Sequence, residues 1–281
     1  MHPFAVRSFA AAAALALLAA APAAFAQAPA ASPPPIDSMR AELIRNFSAD
    51  QRNVWRYSHR ERVALAKNGR VTRRRLLVYF VNGHQVTITL ANNGQPLTAA
   101  QLEDERHAAQ ARAAELRHRP PPPAGSLIFN GRAYSFAKLA NDFLYAPGRV
   151  DRWQDRTVWI YAATPNPNTP SRSREEQVLL GSKGEIWVDA QDHHVVRITL
   201  HTFEPVKYFL GILATVHSAH LDLQLARRTP GEWLPARTDF AFDASILLFK
   251  RLREAKTQNF SDFQLRSPNA APPSDLAAAM P

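Results

Sequence analysis

The chain has 281 residues, 46% of them hydrophobic and 21% charged, with no cysteine and a formal net charge of +10 at pH 7. Without cysteine it has no disulfide framework, no thiolate metal site and no thiol for a lipid anchor. It is long enough to bury a sizeable core, and its basic excess suits anionic partners.

Residues 1–26 read as a cleaved secretory signal peptide. Arg7 supplies the positive start, Phe9 to Ala21 the apolar run, and Ala24-Phe25-Ala26 the small-x-small cleavage pattern, with Gln27 as the new N-terminus. The alternative is a transmembrane anchor. The apolar run has only 13 residues, whereas a span needs about 20. Arg7 is the only charged residue removed, so the mature charge is +10 − 1 = +9. The expected location is the periplasm of a bacterium, with no transmembrane segment in the mature chain. Nucleic acid is then not the natural partner. Anionic headgroups, lipopolysaccharide phosphates or an acidic envelope protein fit better, though the same charge also serves plain solubility.

Residues 27–35 form an Ala/Pro leader expected to be disordered, and residues 268–281 a similar tail. A single domain is expected over 36–267. Ile36, Met39, Leu43, Ile44 and Phe47 recur at helical spacing. From Arg52 the period becomes two, with Trp55, Tyr57, Val63 and Leu65 alternating with Arg56, Ser58, Arg60 and Arg62. Asn68-Gly69 turns this strand into a second, Arg70 to Asn82. Gly83 breaks that one, and His84 to Asn92 follows up to Asn93-Gly94. The three make an antiparallel meander.

Thr98 and Gln101 form a capping box for a charged helix running to Arg117. Its apolar stripe is thin, which suits a lid or a docking arm. Pro120 to Pro123 stop it. A second block begins near Ser126, with one or two helical turns at Tyr134 to Ala140. Phe143–Trp153 and Arg156–Thr164 read as a hairpin. Arg174–Gly181 and Glu185–Ala190 read as strands joined at Lys183-Gly184. His194–Phe203, Leu213–Arg228, Trp233–Ala244 and Leu247–Leu265 complete the count. Each block alone would leave an apolar sheet face exposed, so one shared sheet is expected.

The stretches Gly184-Glu185-Ile186-Trp187-Val188-Asp189, Val195-Val196-Arg197-Ile198 and Gly231-Glu232-Trp233-Leu234-Pro235, set in this order after an opening helix and a meander, carry a likeness. The chain resembles the outer-membrane lipoprotein-sorting (LolA-like) superfamily of periplasmic carriers. The resemblance implies an α+β fold: a large curved antiparallel sheet of about 10–11 strands, an unclosed β-barrel, with a few helices covering the concave face. It also implies a soluble carrier that holds acyl chains on that face.

Enzyme chemistry finds little in the sequence. His193-His194 and the pair His217 and His220 split across the faces of strands, and no His-Glu-x-x-His occurs. No Gly-x-Ser-x-Gly elbow or glycine-rich phosphate loop is present. Glu61, Asp142, Asp189 and Asp239 are strand-borne carboxylates with no evident pairing. No metal, cofactor or catalytic residue is assigned, and hydrolysis is the weaker alternative. Trp55, Tyr57, Leu77, Tyr79, Val86, Ile88, Leu90, Val158, Ile160 and Trp187 are the candidate apolar lining for lipid or a lipoprotein acyl chain. Arg56, Arg60, Arg62, Arg73 and Arg75 are the candidate basic docking face, for headgroups or an envelope protein. A filled concavity would instead make the chain a non-catalytic interaction or stress-sensing module.

Overall fold

Three Asn-Gly steps set the first hairpins. Asn68, Asn82 and Asn93 take φ of 48°, 50° and 49°, and each is followed by a glycine at positive φ. This is the tight-turn geometry that matches strand twist. The turns join β1 (Tyr57–Lys67), β2 (Arg70–Val81), β3 (His84–Asn92) and β4 (Gln95–Pro96) into the expected meander.

The computed structural model describes residues 32–129, 132–170, 173–208, 214–247 and 250–266. All lie in one compact unit, Ser32–Pro281. The expected signal peptide, leader residues 27–31 and the expected tail lie outside the described residues. No helix among the described residues is long and apolar enough to cross a membrane.

The remaining strands are β5 (Ser126–Phe129), β6 (Arg132–Ser135), β7 (Phe143–Tyr145), β8 (Arg149–Trp153), β9 (Arg156–Pro165), β10 (Ser182–Asp189), β11 (Val195–Thr202), β12 (Val206–Tyr208), β13 (Ala214–Thr229), β14 (Glu232–Ile246) and β15 (Lys250–Leu265). Among the described residues four helices accompany them: α1 (Ile36–Val54), α2 (Ala99–Leu116), α3 (Phe136–Asp142) and α4 (Arg174–Leu180). Thirteen strands form one antiparallel sheet in the order β4-β3-β2-β1-β15-β14-β13-β11-β10-β9-β7, with β12 beside β13 and β8 beside β9. β5 and β6 pair apart from it. The two ends of the sheet do not pair, so it is not closed. The expected 10–11 strands become 13: Arg174–Leu180 leaves the count as a helix, Phe143–Trp153 divides into β7 and β8, and short β4 and β12 are added.

Directly opposed residues of antiparallel strands share a face. One row therefore runs Tyr161, Ile186, Ile198, Leu223, Thr238, Gln258, Val63 and Arg74. The adjacent row, on the opposite face, runs Ile160, Trp187, Arg197, Gln224, Arg237, Asn259, Arg62 and Arg75. Ile36, Met39, Leu43 and Phe47 of α1 pack on Trp159, Tyr161, Ile186, Val188 and Ile198. The first row is thus the inner face, beneath α1. α2 lies on the other face, where Ala109, Ala113 and Leu116 cover Tyr79, Val86 and Ile88. Its capping box is formed: Gln101 N donates to Thr98 Oγ1, and Thr98 N donates to Gln101 Oε1.

Three expectations are corrected. α1 continues to Val54, so Trp55 caps a helix and does not open a strand. Arg174–Leu180 is helical, with Ser173 Oγ accepting from Glu176 N. Gly184 lies inside β10, where a Cβ would stand 1.8 Å from the Thr199 carbonyl oxygen. That close backbone approach, and not a turn, is why glycine sits there.

Candidate functional site

The stripe Leu43, Phe47, Asp50, Val54 runs down α1 at helical spacing and faces the sheet. Asp50 is 2% exposed, a costly place for a carboxylate. It is partnered: His194 Nδ1 lies 2.7 Å from its Oδ2, and Trp233 N donates to its Oδ1 at 3.4 Å. Burial pushes the Asp50 carboxyl above its ordinary value, against the pull of His194. His193 and His194 sit in the turn before β11, not on a strand, and His193 takes φ 52°.

Beneath this helix the inner face is not fully packed. A chamber of about 250 Å³ is walled by Leu200, Leu221, Leu223 and Leu225 from the sheet, Phe47 and Val54 from α1, Leu139 from α3 and Leu179 from α4. A second chamber of about 510 Å³ adjoins it, and Gln51, Val54, Ser126 and Pro235 border both. Its walls are Phe80, Phe260, His59 and Glu61 from the sheet and Trp55 at the end of α1.

The segment after α2 crosses from the outer face to this second chamber. His84 Nε2 lies 2.8 Å from Pro120 O, and Asn82 Nδ2 donates to Arg119 O. Pro122 and Pro123 then form part of the wall. Gln51 fastens the far end, accepting from Gly125 N at 2.6 Å and Ser126 N at 2.9 Å. The tetraproline stretch is therefore a strap across the chamber.

His59 and Glu61 are two apart on β1 and so share a face. They are 2% and 3% exposed. His59 Nε2 lies 3.2 Å from Glu61 Oε1, and Gln258 Nε2 donates to Glu61 Oε2 at 3.0 Å. Phe80, Phe260 and Phe263 surround the imidazole at ring-centroid distances of 6.1, 5.7 and 4.9 Å. The alternation His59-x-Glu61 is present in the sequence, but Glu61 stands there as a carboxylate without its histidine partner. Asp50 and His194 are brought together only by the fold.

The ten candidate lining residues do not share one concave surface. Trp55 borders the second chamber. Leu77, Tyr79, Val86, Ile88 and Leu90 pack beneath α2 on the outer face. Val158 and Ile160 pack with Val196, Leu225 and Trp233, flanked by Trp187. The Tyr57 hydroxyl donates to Glu232 at 2.9 Å, and Arg228 lies 5.0 Å from its ring centroid. Five of the ten thus pack beneath α2, and Val158 and Ile160 pack with Leu225 and Trp233, which also line the first chamber.

The candidate basic residues do come together. Arg60, Arg62, Arg73 and Arg75 share the outer face, Arg62 directly opposite Arg75. Arg56 is exposed just before β1. Arg60 has Asp262 at 3.5 Å, whereas Arg62, Arg73 and Arg75 have no ion pair among the described residues. Elsewhere on this face the arginines are partnered: Arg197 with Asp222, Arg237 with Asp239, and Arg251 with Asp243. Of the carboxylates singled out earlier, Asp189 is held by Arg156 and by the N–H groups of Gln191 and Asp192. Asp142 is held by Lys138 at 2.7 Å. Among the described residues no three His, Asp or Glu side chains gather as a metal site.

No family model matches the chain, and no curated protein matches it. Solved structures do. A LolA superfamily protein from Nitrosomonas europaea is 12% identical, with a TM-score of 0.33, covering 81% of this chain and 94% of that one. A putative outer membrane lipoprotein-sorting protein domain from Vibrio parahaemolyticus is 11% identical, with a TM-score of 0.34, covering 85% of this chain and 98% of that one. The MucA/MucB complex structure from Pseudomonas aeruginosa is 8% identical, with a TM-score of 0.24, covering 81% of this chain and 99% of that one. The chain is thus similar, at low identity, to solved structures described as a LolA superfamily protein and a lipoprotein-sorting domain.

Proposed function

We propose that this chain is an exported, non-catalytic binding protein that holds an apolar ligand, a lipid or an acyl chain, between α1 and the inner face of the open sheet. The observation that carries the reading is the leucine-walled chamber of about 250 Å³ continuing into the aromatic one of about 510 Å³. Pockets of this size and lining are typical small-molecule sites. Binding would draw on burial of the ligand's methylenes, about 0.8 kcal/mol each. The residues proposed for contact are Phe47, Val54, Trp55, Leu200, Leu221 and Leu223. The periplasm is the proposed location, following from the leader sequence.

The test is a competition titration. The mature protein is loaded with the fluorescent apolar probe N-phenyl-1-naphthylamine, and long-chain amphiphiles are added. Saturable, displaceable fluorescence is expected. Leu221→Trp, which fills the first chamber, should abolish it, and Arg62→Ala should not. Absence of saturable binding to folded protein would overturn the reading.

A second reading concerns the outer face, and the unpaired Arg62, Arg73 and Arg75 favour it. We propose that this patch docks on an anionic membrane surface while the chambers hold cargo. Flat arrays of arginine suit phosphate headgroups, each cation near such a surface contributing about 1 kcal/mol.

A further inference from the structure

The two chambers have an electrostatic character opposite to that of the protein. The chain carries 34 Lys and Arg residues, yet among the described residues none of them lines either chamber. Each chamber instead contains a carboxylate, Asp50 in the first and Glu61 in the second. Asp50 is occupied by His194 and the Trp233 N–H. Glu61 is not used up. A carboxylate offers about four acceptor positions, and His59 and Gln258 each take one.

His59 lies beside Glu61 in the same wall, its Nε2 3.2 Å from the carboxylate oxygen. Its Nδ1 is buried and has no hydrogen-bond partner among the described residues. Phe80, Phe260, Trp55, Pro122 and Pro123 make up the apolar part of that wall.

We propose that the second chamber is the head-group site of the bound amphiphile, and that it selects a hydrogen-bond donor, an amine or hydroxyl, over an anionic head. This rests on the chambers binding an amphiphile at all. The tail lies in the leucine chamber, and the head donates to Glu61. An anionic head would meet a carboxylate with no lysine or arginine beside it among the described wall residues, and like charges in a low-dielectric site repel strongly.

The experiment uses three probes with the same twelve-carbon tail: dodecylamine, 1-dodecanol and dodecanoate. Each displaces N-phenyl-1-naphthylamine from the mature protein at pH 7. Long-range attraction to a basic protein favours dodecanoate, so the local site must act against that bias. The amine and alcohol are expected to bind at least about 10-fold tighter than dodecanoate. Glu61→Gln should cost the amine about 10-fold or more while leaving dodecanol within about 3-fold. Circular dichroism establishes that the variant is folded, and the wild-type preference alone remains decisive if it is not. Equal binding of all three probes, or tighter binding of dodecanoate, would overturn the head-group site while leaving the apolar chamber in place. Binding of none would instead overturn the chamber reading itself.

Discussion

Tail length should set affinity until the leucine chamber is full. The wall from Leu221 to Leu225 spans four residues along β13, about 13 Å at roughly 3.3 Å per residue. Within that length each methylene leaves water for leucine side chains and gains about 0.8 kcal/mol. Two methylenes then give about 1.6 kcal/mol, a factor of about 15 in Kd. Beyond that length the added carbons protrude, and the gain per carbon should fall. The assay is displacement of a fluorescent apolar probe by a series of alkyl alcohols from eight to sixteen carbons at constant pH and salt. A steep limb followed by a flatter one is expected. A Kd that does not change with length between eight and twelve carbons would refute the reasoning.

Other perturbations test the scaffold and the outer face. Gly184→Ala places a methyl 1.8 Å from the Thr199 carbonyl oxygen, so β10 and β11 must part, at a cost of about 1–3 kcal/mol in urea unfolding. Thr98→Ala removes the acceptor for the Gln101 N–H and should cost about 1 kcal/mol. Asp189 is fully buried. Burial alone would raise its carboxyl, but Arg156 and two backbone N–H groups outweigh that and hold it below the ordinary value. Its contribution is therefore present above about pH 4 and is lost as pH falls through the depressed folded value. Asp189→Asn should destabilise by about 3 kcal/mol at pH 7 and flatten the loss of stability in acid. Combined alanine substitution of Arg62, Arg73 and Arg75 should lower co-sedimentation with phosphatidylglycerol vesicles and reduce its salt dependence, with no effect on amphiphile affinity. Unchanged vesicle binding would refute the docking face.

The legible parts of this fold are those where local chemistry is unambiguous. The meander follows from three Asn-Gly steps, and α2 follows from its capping box. The end of α1 is hidden because its buried stripe carries Asp50, a polar residue whose burial is licensed by His194, 144 residues away. α4 is ambiguous because seven residues ending in Val178, Leu179 and Leu180 fit either period. The face of β9 is ambiguous for a related reason. Val158 to Tyr161 are buried in succession, since both faces of β9 are covered. Such a run has no alternation to indicate which side faces a cavity. The face becomes known only from the ladder pairing Tyr161 with Ile186 and Ile160 with Trp187. His59 and Glu61 lay within reach of the period-two pattern, but their meaning depends on the aromatic wall, which comes from β2, β15 and the end of α1.

The central claim is that the ligand lies on the inner face of the sheet, beneath α1. Photo-crosslinking with an alkyl amphiphile carrying a diazirine at its tail end, followed by peptide mapping, tests it most directly. The account predicts adducts on α1 near Phe47 and Val54 and on β13 between Leu221 and Leu225, competed away by unlabelled amphiphile. Competable adducts confined to the outer face, around Tyr79, Ile88 or Trp187, would contradict it.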